Sequence, residues 1–345
     1  MTIHIGILGG GNISQTHARA AREIAGVEIT CICGQNPQKV KQLAEVYGGS
    51  AYENLEAFLR HKPMEIVLIG SPSGLHAEHG IAAANHGLHV LVEKPIDITL
   101  ARADALIDAC DKANVKLGVF FQDRIAPHIL KLKELIDSGR LGKPVLMSAR
   151  VKWFRPPEYY QQSRWRGSWA LDGGGALMNQ GIHTIDLLLW LLGSITSIQA
   201  RARTALHDIE VEDTVVASLE FSSGAIGTLE AATSVYPGYP RRLELTWSEG
   251  TIIVENDRVV AADFREPVPE FRLEQPGVQD QRSTSPVVSD VRGHRTTIED
   301  FIRAVEMNRP PICDGDQARR SVEVVQAIYE SSRTGQTVRL ERVRA

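Results

Sequence analysis

Cysteine is scarce in this chain: Cys31, Cys33, Cys110 and Cys313 are all that 345 residues contain. Four thiols over that length exclude a disulfide scaffold, and none stands in C-x-x-C spacing. Cys31 and Cys33 alternate along an apolar run, so both share one strand face and are expected to pack in a core. An excess of one charge sign is missing too. Lys and Arg number 38 against 42 Asp and Glu, a formal net charge of −4, which gives no electrostatic case for nucleic acid or an anionic membrane. No apolar run approaches the ~20 residues that a membrane helix needs. The most hydrophobic stretch, Leu187–Leu192, is short and adjoins Asp186. Ile3 already belongs to the first expected strand, so no leader is expected and the reading is cytoplasmic. No internal repeat is found. What remains is an ordinary globular composition, 43% hydrophobic and 23% charged, with length enough for two domains and a sizeable core.

Strands are expected at 3–8, 27–33, 66–70, 88–93 and 116–121, with helices at 13–24, 37–47, 76–86 and 99–113. Asn36 and Pro37 are the N-cap and first residue of the second helix. Short apolar strands between amphipathic helices imply a parallel sheet covered on both faces. The run Gly9-Gly10-Gly11-Asn12-Ile13-Ser14 follows the first strand and opens a helix. That context makes it a dinucleotide-binding turn, with serine in the third small-residue place. Glycine lets the backbone approach a pyrophosphate, and the helix start supplies N–H donors at the positive end of its dipole. Gly9, Gly11, Asn12 and Ile13 are therefore expected to bind cofactor. Gly34-Gln35-Asn36 ends the second strand where a carboxylate usually reads the ribose 2′-hydroxyl. Its absence leaves room for either NAD or NADP, with Gln35, Asn36 and Lys39 as neutral or basic candidates. Ser71, Pro72 and His76 follow the third of these strands and are assigned to the cofactor rim; His76 is expected to cap a helix there.

Glu93-Lys94-Pro95 closes the apolar run 88–92. A lysine ending a buried strand must be paired or used, and the proline restricts the backbone before it. The isomer of the Lys94–Pro95 bond is not legible in sequence. Ligands bind beyond the carboxyl ends of such strands, so the glycine turn, Ser71-Pro72 and Lys94 are expected on one rim. A cofactor turn and an aimed lysine in one α/β domain argue for redox chemistry.

After Gln122 the rhythm changes. A helix at 127–138, a strand at 145–153, a polar loop at 154–169 and a helix at about 175–192 are expected. Strands follow at 195–204, 213–221, 225–235, 241–248 and 251–255, in an antiparallel sheet. Residues 265–295 read as loop, about 296–307 and 315–333 as helices, and 334–345 as short strand or tail. The helix 175–192 is apolar nearly all round, yet Asn179, His183 and Asp186 fall at i, i+4 and i+7 on one stripe. Buried polar groups need partners, and this stripe favours a site. Gly181 inside the helix, and Gly173-Gly174-Gly175 before it, suggest close approach by another group. The loop residues Arg155, Tyr159, Tyr160, Arg164, Trp165 and Trp169 suit either an interface or a polyol-binding wall. His76-Ala77-Glu78-His79 has H-x-x-H spacing but no third ligand nearby, so no metal is expected.

With these motifs the chain resembles the glucose–fructose oxidoreductase / inositol dehydrogenase (Gfo/Idh/MocA) family over nearly its whole length. The resemblance rests on the glycine turn, Glu93-Lys94-Pro95, Gln122-Asp123-Arg124, Gly173-Gly174-Gly175 with Gly181-Ile182-His183, and the closing helices after Asp300-Phe301. It implies a Rossmann NAD(P)-binding domain, 1–121, and an α+β domain with a large open, mostly antiparallel sheet, 122–345, that binds substrate and mediates a homodimer or homotetramer. It implies hydride transfer to or from a secondary alcohol or ketone of a sugar, nucleotide-sugar or cyclitol. Glu93, Lys94 and Gln122 join the expected cofactor set. The lysine and histidine carry over to Lys94 and His183. Many members place aspartate where this chain has Asn179, which questions carboxylate-assisted proton transfer but not binding there. On this reading Lys94, His183 and Asn179 are catalytic. Arg155, Tyr160 and Trp165 line the substrate with them. An imidazole, with its unperturbed pKa of ~6.5, suits His183 as base. A charged Lys94 polarises the oxygen, and a desolvated one shuttles the proton. Asp186 is the expected orienter of the imidazole. A non-catalytic nucleotide-binding sensor on the same scaffold is the alternative; retention of both Lys94 and His183 speaks against it.

Overall fold

A computed structural model describes residues 2–163, 165–268, 271, 283 and 290–341. The elements run β1 (Ile3–Leu8), α1 (Asn12–Arg22), β2 (Val27–Cys33), α2 (Pro37–Tyr47), β3 (Ser50–Tyr52), α3 (Leu55–Leu59), β4 (Ile66–Ile69), α4 (His76–Asn85), β5 (His89–Val92), α5 (Leu100–Lys112) and β6 (Leu117–Val119). They continue as α6 (Pro127–Asp137), β7 (Pro144–Lys152), α7 (Pro157–Gln161), a π-helical turn (Ala176–Gly181), α8 (Ile182–Leu192), β8 (Ile195–Arg203), β9 (Thr214–Phe221) and β10 (Ile226–Ala232). Last come β11 (Arg242–Trp247), β12 (Gly250–Glu255), β13 (Arg258–Phe264), α9 (Arg292–Glu306), α10 (Gly315–Thr334) and β14 (Val338–Arg339).

Two compact units result. Described residues 2–122 and 290–322 form the first; 123–268, 271, 283 and 323–341 form the second. Residues 290–322 thus return to the first unit, so neither unit is the contiguous stretch that a 1–121/122–345 division makes it. The cause is the apolar face of α9: Ile298, Phe301 and Ile302 share one core with Ile5, Ile7 and Leu68. This helix starts at Arg292, inside the stretch expected as loop. Of that loop, 269–270, 272–282 and 284–289 lie outside the described residues.

The first unit holds a six-stranded sheet of order β3-β2-β1-β4-β5-β6, with parallel neighbours throughout. The order reverses at β1 and β4, where doubly wound sheets bind ligands. Ile66–Ile69 is buried along its whole length, as a strand covered on both faces requires. Leu8 pairs with Cys33 and with Ile69, and Ile69 with Val92. Four strands therefore end level, and the segments after them share one rim as expected. Asn36 caps α2, its Oδ1 accepting the Lys39 amide at 3.1 Å. Cys31 and Cys33 are buried, and burial pushes their thiols up to about 12 and about 11, consistent with core packing.

The second unit holds an eight-stranded mixed sheet, β13-β12-β11-β7-β10-β9-β8-β14. β7 and β10 run parallel; the other neighbours are antiparallel. Along β9 burial alternates strictly: Val215, Ala217, Leu219 and Phe221 are buried while Val216, Ser218 and Glu220 are exposed. The expected helix 175–192 divides into the π-helical turn and α8, which shifts the phase between Asn179 and the residues after Gly181. Among the described residues no helix is long and apolar enough to cross a membrane.

Candidate active-site residues in each unit

In the first unit, β1 feeds the glycine turn into α1. Gly11 is the N-cap and supplies no side-chain hydrogen bond, so the first-turn amides of Asn12 and Ile13 face outward without a built-in acceptor. A Cβ on Gly11 would meet nothing within 4 Å, whereas one on Gly9, at φ +143, would strike the Gly70 carbonyl at 2.6 Å. Gly9 thus permits close packing of the turn, and Gly11 leaves its mouth open. Two buried polar atoms here lack a hydrogen-bond partner, Ser14 Oγ and Gln122 Oε1. An open cradle of amides with the orphaned Ser14 hydroxyl beside Gly9 and Gly70 fits a dinucleotide. Gly34 packs its Cα against the turn, where a Cβ would lie 3.0 Å from the Gly10 amide. Gln35 and Lys39 are exposed beyond it. Asn36, expected to serve both as cap and as ligand donor, commits its oxygen to the cap.

Lys94 follows β5, and the Lys94–Pro95 bond is cis. Glu93 accepts the Lys94 amide through Oε2 at 3.2 Å and meets His17 Nε2 through Oε1 at 2.9 Å and His294 Nε2 at 3.5 Å. Burial alone would raise the Glu93 carboxyl; hydrogen bonds from the two imidazoles overcome it and hold the group well below the usual carboxylate range. Burial lowers the His17 imidazole, keeping it neutral. The ligand atoms of His17, Glu93 and His294 lie within 4.8 Å of one another, close enough to hold a cation. The 2.9 Å contact is that of a hydrogen bond, and His17 Nδ1 lacks the outer partner that a metal-bound imidazole ordinarily has. The cluster works as a hydrogen-bond hub that fixes the Lys94 backbone.

His76 begins α4 and does not cap it by its side chain. Its ring lies between the Pro95 carbonyl at 2.7 Å and the Ser71 carbonyl at 2.9 Å; burial lowers its pKa, and the neutral ring donates to one of the two. With both nitrogens so placed and 1% of the residue exposed, it organises the rim from within. The Ser71 hydroxyl meets His79 Nδ1 at 2.9 Å, and Pro72 opens the turn Ser73–Leu75. Asp97, missed in the sequence, accepts the Ala77 amide at 2.9 Å and caps α4 from below the lysine motif.

In the second unit, the run 174–188 is buried except at Asn179 and His183. Asp186 receives Arg124 at 2.7 and 2.6 Å in a fully buried bidentate pair. Asp123 Oδ2 lies 3.6 Å from His183 Nδ1, an ion-pair separation longer than a hydrogen bond. The same oxygen accepts Arg241 at 2.5 Å, and Arg241 pairs with Asp257. A carboxylate beside Nδ1 favours the proton there and leaves Nε2 as the basic nitrogen. Asn179 Nδ2 donates to Asp172 Oδ1 at 2.8 Å.

The glycines have local causes. A Cβ on Gly181 would meet Ala231 of β10 at 3.2 Å; on Gly175 it would strike the Glu212 carbonyl at 1.7 Å; on Gly174, the Tyr329 hydroxyl at 2.1 Å. They admit protein groups. Glu212 accepts the amides of Gly175 and Leu177, each at 2.8 Å, and so caps the π-helical turn. Burial pushes its carboxyl up to about 7. No motif announced this cap, because it arrives from a distant strand edge. Arg155 and Tyr160, expected at the substrate, are buried: Arg155 donates to the Phe154 carbonyl at 2.9 Å and stacks on Trp153, and Tyr160 meets Thr233 Oγ1 at 2.8 Å. Their polar ends brace the loop. Trp165 remains partly exposed; Arg164 lies outside the described residues.

Residues 3–121 match the pattern described as "Oxidoreductase family, NAD-binding Rossmann fold", and residues 129–253 match the "GFO/IDH/MocA C-terminal domain". Among solved structures, the WlbA dehydrogenase from Bordetella pertussis in complex with NADH and UDP-GlcNAcA is 31% identical, with a TM-score of 0.89 over 99% of this chain and 98% of that one. Myo-inositol 2-dehydrogenase of Thermotoga maritima is 26% identical over 99% of both chains. D-xylose 1-dehydrogenase (NADP(+)) 2 of Haloferax volcanii is 28% identical over 97% of this chain and 99% of its own.

Proposed function

The chain belongs to the GFO/IDH/MocA oxidoreductase family, and on that premise we propose that it moves hydride between NAD(P) and a secondary CH–OH or ketone of a sugar, nucleotide-sugar or cyclitol. The observation that carries this reading is the open, uncapped start of α1 on the same sheet rim as Lys94. The amides of Asn12 and Ile13 would hold the pyrophosphate, with Ser14 and Gln122 as flanking polar groups. When bound, the nicotinamide supplies the hydride acceptor or donor. In the oxidative direction His183 takes the hydroxyl proton at Nε2, with Asp123 holding the ring and stabilising the imidazolium. A charged Lys94 stabilises negative charge on the reacting oxygen. Asn179 hydrogen-bonds a substrate hydroxyl, and Trp165 offers an apolar face to the sugar ring.

The test follows NAD(P)H absorbance while wild type meets a panel of hexoses, glycosides, cyclitols and nucleotide-sugars with NAD or NADP. Reduction of coenzyme by at least one polyol is expected. Tight coenzyme binding without turnover of any would overturn the reading. We also propose a cytoplasmic homodimer or homotetramer. The four free, buried cysteines and the exposed Leu146, Val216 and Ile226 on the outward side of the second unit's sheet support this. The outward positions otherwise carry ion pairs such as Arg150–Glu244 and Lys152–Glu230, so these few apolar residues are what a second subunit would cover. Sedimentation as a 38.0 kDa monomer would contradict it.

A further inference from the structure

The environment of Asn179 settles which end of its amide looks outward. Nδ2 lies 2.8 Å from Asp172 Oδ1. Asp172 is 2% exposed, and its other oxygen accepts the Gly167 amide at 2.9 Å. An ionised carboxylate only accepts hydrogen bonds, so the end of Asn179 that meets it must be the NH2 group. The carbonyl end Oδ1 then faces away from Asp172. Asn179 is one of two residues in the run 174–188 that are not buried, His183 being the other.

We propose that Asp172 is a positioning residue that locks the Asn179 amide with Oδ1 outward, so that Asn179 accepts a hydrogen bond from the substrate. The group recognised at this point is then a hydroxyl donor, next to the proton-accepting His183, and not a carbonyl or carboxylate oxygen. An amide oxygen has two lone pairs, so a further protein partner on Oδ1 leaves room for that hydroxyl. The proposal rests on the assignment of Asn179 to the substrate site.

The pair can be inverted chemically. In Asp172→Asn the new side chain has one oxygen. If it keeps the Gly167 amide, its NH2 faces Asn179 and turns the Asn179 amide over, presenting a donor outward. In Asn179→Asp two carboxyl groups meet at hydrogen-bond distance and must share a proton, which creates an ionisation the wild type lacks. In Asp172→Asn/Asn179→Asp the NH2 of residue 172 again has an acceptor, Gly167 keeps its partner, and an oxygen faces outward.

With full-length protein and the polyol that wild type oxidises best, Asp172→Asn is expected to raise the polyol KM by about 10-fold or more, the scale of one hydrogen bond lost at an unpaired donor. KM for the corresponding ketone should rise less, because the flipped amide can donate to it. Asn179→Asp should add a new ionisation to the kcat/KM profile, and the double variant should abolish it and recover a KM near that of wild type. Unchanged KM in a folded Asp172→Asn protein, or a double variant no better than Asn179→Asp, would overturn the proposal. Should Asp172→Asn fail to fold, the presence of the new ionisation in Asn179→Asp and its absence in the double variant still decide. If wild type turns over no polyol, the functional reading fails, and NMR of the Asn179 side-chain amide protons tests the orientation alone. Those protons should shift between wild type and folded Asp172→Asn; no difference would overturn it.

Discussion

Glutamine in place of Glu212 separates the two opposing effects that this side chain has on the second unit. The carboxylate caps the π-helical turn through two amides, Gly175 and Leu177. A glutamine has one acceptor oxygen, so one amide would face an NH2 group, at a cost of about 1–3 kcal/mol. The opposing effect is ionisation. Burial raises the Glu212 carboxyl from 4.5 to about 7, so between these values the folded chain holds a proton that the unfolded chain has released. Stability from this group is therefore complete below the lower value and declines as pH rises through the upper one. At ~1.4 kcal/mol per pH unit the decline amounts to about 3 kcal/mol. Glu212→Gln removes this dependence. The variant is expected to be less stable than wild type by about 1–3 kcal/mol near pH 4.5, and as stable or more so near pH 8. Thermal unfolding of both proteins across that range is the assay, and taking their difference cancels the other titrating groups. At about 2–4 °C per kcal/mol for a unit of this size, the gap in Tm should move by some 6–12 °C. A gap constant across pH would refute a buried, proton-binding carboxyl at this cap.

Lys94→Ala should keep its fold and its coenzyme affinity yet lose about 10²-fold or more in kcat; near wild-type kcat/KM in the folded variant would remove Lys94 from the chemistry. In wild type, kcat/KM for oxidation should rise with pH through one ionisation that His183→Ala abolishes, while Asp123→Asn moves it to lower pH because a nearby anion no longer favours the imidazolium. A profile unchanged in His183→Ala would assign the base elsewhere. Wild type should bind NADP measurably as well as NAD, and Gln35→Asp should weaken NADP more than NAD by charge repulsion, as competitive titration reads. Gly34 is unsuitable for that test, since its Cβ would crowd the Gly10 amide at 3.0 Å. Wild-type binding of NAD alone would show the turn was misjudged.

Most of the first unit is legible from residues 1–121 because its signals are local. Apolar runs of four to seven residues, the Asn36 cap and the glycine turn each declare themselves within one element. The short β3 and α3 carry too few residues to show a period. In the second unit, the positions of Asn179 and His183 are legible from polarity alone. Their partners are not. His183 and Asp186 both lie in α8, yet the Asp186 carboxylate receives Arg124 from a distant turn, a partner that periodicity does not announce. Asp172, Asp123 and Glu212 reach the site across loops and strand edges, where periodicity says nothing about who meets whom. Arg155 and Tyr160 look like surface binders by type, yet ring stacking and backbone carbonyls draw them inward.

The return of α9 to the first unit has a consequence for synthesis on the ribosome. The parallel sheet is translated early, but Phe301 and Ile298 fill its core, the Cys313 carbonyl receives the Val119 amide at 3.1 Å, and His294 supplies one of the two imidazoles on Glu93. A nascent chain that has just passed Gln122 holds every strand of the nucleotide-binding sheet and lacks the helix that seals one side of it. Until α9 follows, the apolar core positions that it packs against lack that cover, while the intervening residues emerge. The unit that is begun first is thus completed only after most of the other has been made, when residues 290–322 have emerged.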